Sequence, residues 1–325
     1  MKATAMAHTN IALIKYWGKR DETLFLPMNS SLSITLDKFY TTTTVEFCTH
    51  LYEDVFILNG SLTNEAETQK VTRFLNIVRK MSGKELFAIV KSNNKVPTAA
   101  GFASSASGYA ALAAASTKAI GLDIDNRTLS KIARLGSGSA CRSIYGGFVE
   151  WQKGEEEDGS DSFAKPIIAH DSWDISILSV LITANQKKVL SREGMKRVVE
   201  TSPFYSSWPI EAEKDLIIAK KAIQERDFDE LGRVTEANAL KMHATTLGAN
   251  PPFLYWQSAT IDVIQKVQEL RSIGLHAYFT IDAGPNVKII CLPQDEQAVK
   301  ESLHSLPAIR DVYSSRIGPG VQLLA

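Results

Sequence analysis

The sequence predicts an α+β chain in two lobes. Three observations carry this expectation. Alternating and β-branched segments crowd residues 1–184. Amphipathic helical patterns dominate from residue 185 onward. Strand-like segments then return near the end, at 276–281 and 287–292. The pattern changes near 182–188, which divides the chain into 1–184 and 185–325.

Taken in order, residues 3–14 mix small and apolar side chains and read as an early strand leading to Lys15, Tyr16, Trp17, Gly18 and Lys19. Residues 26–33 are polar and turn-prone. The Thr-rich run 39–47 favours a strand. Residues 55–58 followed by Asn59 and Gly60 give the strongest hairpin signal in the chain. Over 65–81, Val71, Phe74, Leu75 and Val78 fall on one helical face. Alternation over 86–91 predicts a strand, and the Ala-rich tract 108–120 a helix. Asp125 and Asn126 can cap a further helix through Leu129, Ile132, Ala133 and Leu135. A small-residue turn at 136–142 leads to a strand at 148–152. The acidic run 155–161 reads as a solvated tip, and 176–183 as a buried strand. Helices are expected at 191–200, 209–226, 228–242, 253–273 and 295–306, with a last strand at 309–315.

The formal charge is zero, which argues against bulk attraction to nucleic acid or to an anionic membrane surface. No apolar run approaches the roughly 20 residues needed to span a bilayer, and the N-terminus lacks a signal-peptide core. Cys48, Cys141 and Cys291 have no metal-ligand spacing, nor do the six histidines. Reduced thiols in a cytoplasmic setting are expected.

The stretch 96–107 joins a strand to a helix through small residues. Unpaired N–H groups and the helix dipole favour an anion at such a junction, and Ser104 and Ser105 add hydroxyls for phosphate or Mg²⁺. It lacks the Gly-Lys-Ser/Thr of a Walker loop, and a tightly packed Ala/Ser helix is the plainer alternative. Asp282 stands at a strand-to-turn corner, where it can project into a cleft or merely close an Asx-turn. Arg142 follows small residues that leave its guanidinium room to reach a carboxylate, or a structural ion pair. Lys15, Tyr16 and Lys19 combine two cations and a phenol, though an aromatic anchor with solvated lysines fits too. Lys187, Lys188 and Arg192 form a second basic cluster before a helix that Ser191 could cap, with a solvated surface as the alternative.

Pro97, Gly101, Phe102, Ala103, Ser104, Ser105 and Ala106 resemble the phosphate loop of the GHMP kinase superfamily, with Phe102 where leucine is usual. Three more segments, 8–19, 136–143 and 282–286, resemble the diphosphomevalonate decarboxylase family, in the same order and over essentially the whole chain. The resemblance implies an N-terminal lobe like ribosomal protein S5 domain 2 and a ferredoxin-like C-terminal lobe, with the active site between them. It implies ATP-dependent, Mg²⁺-assisted decarboxylation of mevalonate 5-diphosphate to isopentenyl diphosphate, by a homodimer.

By the same resemblance, Asp282 faces the hydroxyl to be phosphorylated and Arg142 holds the substrate carboxylate. Ser137, Gly138, Ser139, Ala140 and Cys141 line that pocket through N–H groups and hydroxyls. Tyr16, Trp17, Gly18, Lys19, Ser191 and Arg192 meet the diphosphate. Ser92, Asn94, Pro97, Ala100, Gly101, Ala103, Ser104, Ser105 and Lys187 surround ATP, with Ser105 near the metal. A kinase that stops after phosphorylation, a decarboxylase of the monophosphate, and a non-catalytic nucleotide-binding protein on the same scaffold are the competing readings.

Overall fold

The structure, a computed structural model, describes residues 1–95, 104–183 and 188–325. Its first sheet is built on β1 (Lys2–Ile14) and the long β4 (Ser31–Cys48), joined through the small hairpin β2 (Lys19–Asp21) and β3 (Leu26–Pro27). The polar stretch expected as a turn over 26–33 thus ends as strand. Its polar side chains find buried partners: Asn29 donates to the Lys15 carbonyl at 2.8 Å, and the Ser31 hydroxyl accepts from Arg142 at 2.6 Å. β5 (Val55–Leu58) and β6 (Ser61–Leu62) form the expected hairpin, with φ of 51° at Asn59 and 82° at Gly60.

α1 (Glu65–Ser82) starts at Asn64, whose side chain accepts from the Glu67 N–H, and ends at Gly83 in the left-handed region. β7 (Phe87–Lys95) then pairs with β4 and, in parallel, with β5. α2 (Ser104–Ile120) packs on β1 and β4 and is buried almost all round, which suits its run of alanines. Asp125 caps α3 (Asn126–Gly136) by accepting from the Thr128 N–H. The turn expected at 136–142 is a 3₁₀ helix, Gly138–Ile144. β8 (Phe148–Trp151) adds to the first half of β4, and β9 (Ala164–Ile168), not foreseen, adds to β8.

Just before the expected boundary near 182–188 lies β10 (Ser176–Leu181). This strand is almost wholly buried and lies inside the second sheet, not the first. An apolar run buried on both faces belongs at the centre of a sheet. The chain continues through α4 (Ser191–Thr201), α5 (Trp208–Glu225), α6 (Phe228–Leu247) and α7 (Ser258–Ser272). α7 begins later than expected because Gln257 and Thr260 form a reciprocal cap there. β11 (Ala277–Ile281), β12 (Val287–Cys291), α8 (Glu296–His304) and β13 (Asp311–Ser315) complete the second sheet in the order β11-β12-β10-β13. β14 (Gln322–Leu324), also unforeseen, returns to the edge of the first sheet beside β1.

Apolar burial ties these layers together. Val45, Phe74, Leu75 and Ala111 lie between the first sheet and α1 and α2. Leu13, Ile34, Phe148, Leu216, Ile223 and Leu231 form a core that reaches from the first sheet through α5 and α6 to Ile177 and Ile290 of the second. Phe279, Val263, Val267 and Leu303 fill the far side of the second sheet. Because α6 packs on both β1 and β11, the end of β1 and the end of β11 are brought to one place.

Candidate active site

β1 ends at Ile14, and the next residue turns its ammonium inward. Lys15 Nζ donates to the Ala12 carbonyl at 2.8 Å and to Asp282 Oδ1 at 2.7 Å. The Lys15 backbone N–H is anchored at 2.8 Å by Asn238 Oδ1 on α6. Asp282 follows β11 and closes a tight turn in which the Gly284 N–H donates to its carbonyl at 2.7 Å. Its carboxylate is 35% exposed, while the Lys15 side chain is 3% exposed. One edge of the carboxylate is therefore fixed by a buried cation and the rest faces open space.

Electrostatics decide its charge. Burial alone would raise the Asp282 pKa, but the positive charges of Lys15, Lys288 and Arg142 outweigh it and hold the carboxyl at about 2. Burial in turn pushes Lys15 and Lys288 below the usual lysine value, with Asp282 opposing the shift. His243 of α6 stands behind the corner, its Nε2 3.4 Å from the Ile281 carbonyl oxygen. Burial and the Lys15 charge lower its pKa to about 4, so it is neutral near pH 7.

Arg142 comes from the 3₁₀ helix and is buried. Nη1 donates to Ser31 Oγ at 2.6 Å and Nη2 to Asn10 Oδ1 at 3.2 Å, while Nε has no partner. Asn10 also donates to Ser143 Oγ at 2.8 Å and to the Ser139 carbonyl at 3.1 Å, which locks the 3₁₀ helix to β1. Neutral groups alone hold the guanidinium in hydrogen bonds, and among the described residues it makes no ion pair. Its nearest counter-charge is Asp282, which it feels through space without a direct contact. The structural ion pair considered for Arg142 is absent among the described residues.

A second set of cations lies at the β2–β3 hairpin. Gly18 adopts φ +103°, and a Cβ there would stand 1.7 Å from Tyr205 Oη, so only glycine lets the chain turn from Trp17 to Lys19. Lys19 Nζ pairs with Glu22 and lies 4.8 Å from the centre of the Phe25 ring. Arg192, at the start of α4, lies 5.0 Å from the same ring. Tyr16 packs on Trp151 with ring centres 4.7 Å apart, and its buried hydroxyl has no partner.

Comparisons with known proteins identify the family. Residues 7–164 match the family described as diphosphomevalonate decarboxylase-like N-terminal domain, and 177–318 the mevalonate 5-diphosphate decarboxylase C-terminal domain. The chain belongs to the diphosphomevalonate decarboxylase family. It is 40% identical to the diphosphomevalonate decarboxylase of Ganoderma lucidum over 89% of this chain and 78% of that one. The mevalonate diphosphate decarboxylase from Enterococcus faecalis, in a structure on mevalonate diphosphate mediated ATP binding, superposes with TM-score 0.93 at 50% identity, covering 100% and 99% of the two chains. A solved complex of MDDEF with MVAPP, AMPPCP and magnesium superposes with TM-score 0.93 at 51% identity, again covering 100% and 99%.

Within this decarboxylase fold the sequence-expected residues are distributed unevenly. Asp282 and Arg142, 140 positions apart in sequence, share one electrostatic site. Ser105, at the start of α2, meets Ser137 hydroxyl to hydroxyl at 3.4 Å, so the helix after the phosphate-loop motif adjoins the small-residue turn. Lys19 and Arg192 share Phe25. Pro97, Ala100, Gly101, Phe102, Ala103 and Lys187 lie outside the described residues.

Several of the sequence-expected residues have contacts within the fold. The Ala140 N–H donates to the Ser137 carbonyl at 2.8 Å inside the 3₁₀ helix and is not available to a ligand. The Ala140 and Cys141 side chains are wholly buried, and burial pushes the Cys141 thiol up to about 12, an inert group. The Trp17 indole belongs to a core with Tyr205 and Trp208, and its carbonyl accepts from both at 3.0 Å. Ser191 does not cap α4: Leu190 occupies the N-cap position with no side-chain cap, and Ser191 is the first helical residue. The Ser92 hydroxyl is hydrogen-bonded to that of Thr43 at 2.8 Å, and Asn94 Oδ1 accepts from Thr41 at 2.9 Å. Gly138 and Ser139 keep their places beside Tyr16 and Asn10.

Sequence reasoning missed Asn10, Ser31 and Lys288, and gave Lys15 no partner. Asn10 lies in a run of buried polar residues in β1 with His8 and Thr9, and Lys288 interrupts an apolar strand; these were the local signals.

Proposed function

We propose that this cleft phosphorylates the tertiary 3-hydroxyl of mevalonate 5-diphosphate with ATP and then releases phosphate and carbon dioxide, leaving isopentenyl diphosphate and ADP. The observation that carries the reading is Asp282, an ionised, partly exposed carboxylate fixed by Lys15 in the field of Arg142 and Lys288. A tertiary hydroxyl is a poor nucleophile and needs orientation. Asp282 accepts its hydrogen bond and aims the oxygen at the γ-phosphorus. A carboxylate near pKa 2 is a weak base, so proton transfer follows P–O bond formation instead of preceding it. The hydroxyl proton then passes to Asp282 and on to water, and ADP leaves.

In the second stage the C3–O bond breaks with its electrons on phosphate. The bond to the carboxylate carbon breaks toward the cationic centre and forms the new double bond. Arg142, with two neutral partners and a free Nε, holds the substrate carboxylate in place until then. Lys19, Arg192 and Tyr16 meet the diphosphate.

The AMPPCP and magnesium held with MVAPP in one structural neighbour, and the ATP binding described for another, support the same chemistry here. Among the described residues no three His, Cys, Asp or Glu side chains form a metal cage. Magnesium keeps its waters and enters with substrate phosphates, so the exposed hydroxyls of Ser104 and Ser105 at the start of α2 fit an ion carried by a nucleotide. When bound, it screens phosphate charge. We also propose a cytoplasmic homodimer. The three cysteines are free, and Ile210 and Ile217 stand exposed one heptad apart on α5. Among the described residues no helix is long and apolar enough to cross a membrane.

Product analysis with carboxyl-labelled mevalonate 5-diphosphate tests the reading. Labelled carbon dioxide and ADP in equal amounts are expected. ADP with the label kept in a phosphorylated acid would leave only a kinase. Sedimentation at micromolar concentration tests the dimer.

A further inference from the structure

The β2–β3 hairpin places an aromatic ring where the reading above puts the substrate diphosphate. Phe25 lies in the turn just before β3, with φ +54°, a conformation that is uncommon for a bulky residue. The hairpin is anchored on both sides of it. The Leu24 carbonyl accepts from Arg134 Nε at 3.0 Å, and Leu26 is wholly buried. The Leu24 N–H is tied to Asp21 Oδ1 at 2.6 Å. The ring thus has little freedom to leave. Two cations from different elements meet it: Lys19 Nζ at 4.8 Å and the Arg192 guanidinium at 5.0 Å from its centre. Both distances fall within the range in which a ring face attracts a cation. Arg192 reaches back to the Gly136 carbonyl at 3.5 Å, and Lys19 to Glu22.

We infer that Phe25 is a positioning residue for the diphosphate end of the substrate: its ring holds both the Lys19 and the Arg192 side chains against it before the substrate arrives. Like charges so placed repel each other, and one neutral ring attracts both without neutralising either. A carboxylate in that position would compete with a diphosphate for the cations. The ring adds no charge of its own, so it competes with an anion less than Glu22 does at Lys19, and it lowers the entropy lost when the two cations close on an anion. The inference rests on the reading that Lys19 and Arg192 meet the diphosphate.

Steady-state kinetics of Phe25→Leu, Phe25→Tyr and Lys19→Ala, with thermal melting of each, test it. Phe25→Leu should raise the KM for mevalonate 5-diphosphate about 5–10-fold, from the loss of two cation–ring contacts. Its kcat and its KM for ATP should stay near the parent values. Phe25→Tyr, which keeps the ring, should restore the parent KM. In Lys19→Ala/Phe25→Leu the combined rise should be smaller than the product of the single effects. A parent KM in Phe25→Leu beside a raised KM in Lys19→Ala overturns the role of the ring. Equal losses in Phe25→Leu and Phe25→Tyr overturn it as well, since the defect would be one of shape. A parent KM in Lys19→Ala overturns the diphosphate reading itself, and the inference with it.

Discussion

Lys15 Nζ lies 2.7 Å from Asp282 Oδ1, across 267 positions of sequence, and this contact sets the charge at the centre of the cleft. Lys15 sits at the end of β1 and Asp282 at the end of β11, so the contact exists only because α6 holds both strand ends. Removing the cation from Lys15→Met would leave burial less opposed, and the Asp282 pKa would rise from about 2. The parent enzyme should show no acid limb from this carboxylate above about pH 4. Lys15→Met should bring one into the measurable range, seen as kcat/KM falling as pH drops toward 5.

The same depressed pKa carries a stability sign. Asp282 titrates lower in the folded chain than its ordinary 3.8, so its contribution is present above that value and lost as pH falls through about 2. Lys15 is shifted against its own charge by burial, so the pair is not a large net stabiliser. Asp282→Ala leaves that buried ammonium with only the Ala12 carbonyl, and should cost about 2–4 kcal/mol by denaturant titration. Asp282→Asn, which still offers an oxygen to Lys15, should cost less.

Arg142 should separate activity from stability. Its hydrogen bonds go to Ser31 and Asn10, and it has no ion pair among the described residues. Arg142→Gln removes a buried charge along with those bonds, so the melting temperature should move by only a few degrees. kcat/KM should fall by at least about 100-fold, and Arg142→Lys, which lacks the forked donor, should not recover it.

Glu22 pairs with Lys19. The Glu22 side chain is 64% exposed and that of Lys19 3%, so the contact is open to salt from the Glu22 side. Glu22→Gln should lower the KM for mevalonate 5-diphosphate about 2–4-fold at low ionic strength. The gain should vanish in about 0.5 M salt, where a Debye length of a few ångströms screens the contact.

Gly18→Ala should be among the more damaging single-methyl changes. The added carbon meets Tyr205 Oη, and φ stays at +103° whatever Tyr205 does. A cost of about 3–5 kcal/mol is expected by denaturant titration, only partly relieved by Tyr205→Phe.

Much of this was legible from local chemistry. Asn59 and Gly60 announced their hairpin because few other pairs accept positive φ twice. Asn64 and Asp125 marked helix starts because their side chains satisfy orphan N–H groups. The family motifs brought Asp282 and Arg142 forward, but not the groups that hold them. Asn10, Ser31 and Lys288 serve the site through contacts made only in the folded chain, and nothing near them in sequence marks the partner. The start of β4 read as a turn because Asn29 and Ser31 are polar, and only tertiary hydrogen bonds make such residues welcome in the interior. The run that forms β10 reads as a buried strand, but periodicity does not name its neighbours, and only the fold places it between β12 and β13.

The central claim is that the Asp282 carboxylate orients the hydroxyl for phosphoryl transfer. The most direct measurement compares Asp282→Asn with the parent in single-turnover formation of ADP and carbon dioxide, alongside calorimetric binding of ATP and mevalonate 5-diphosphate. The account predicts binding within a few-fold of the parent and a rate lower by at least about 1,000-fold, the scale of a lost orienting and proton-accepting group. Turnover within about tenfold of the parent, with both ligands bound, would contradict it.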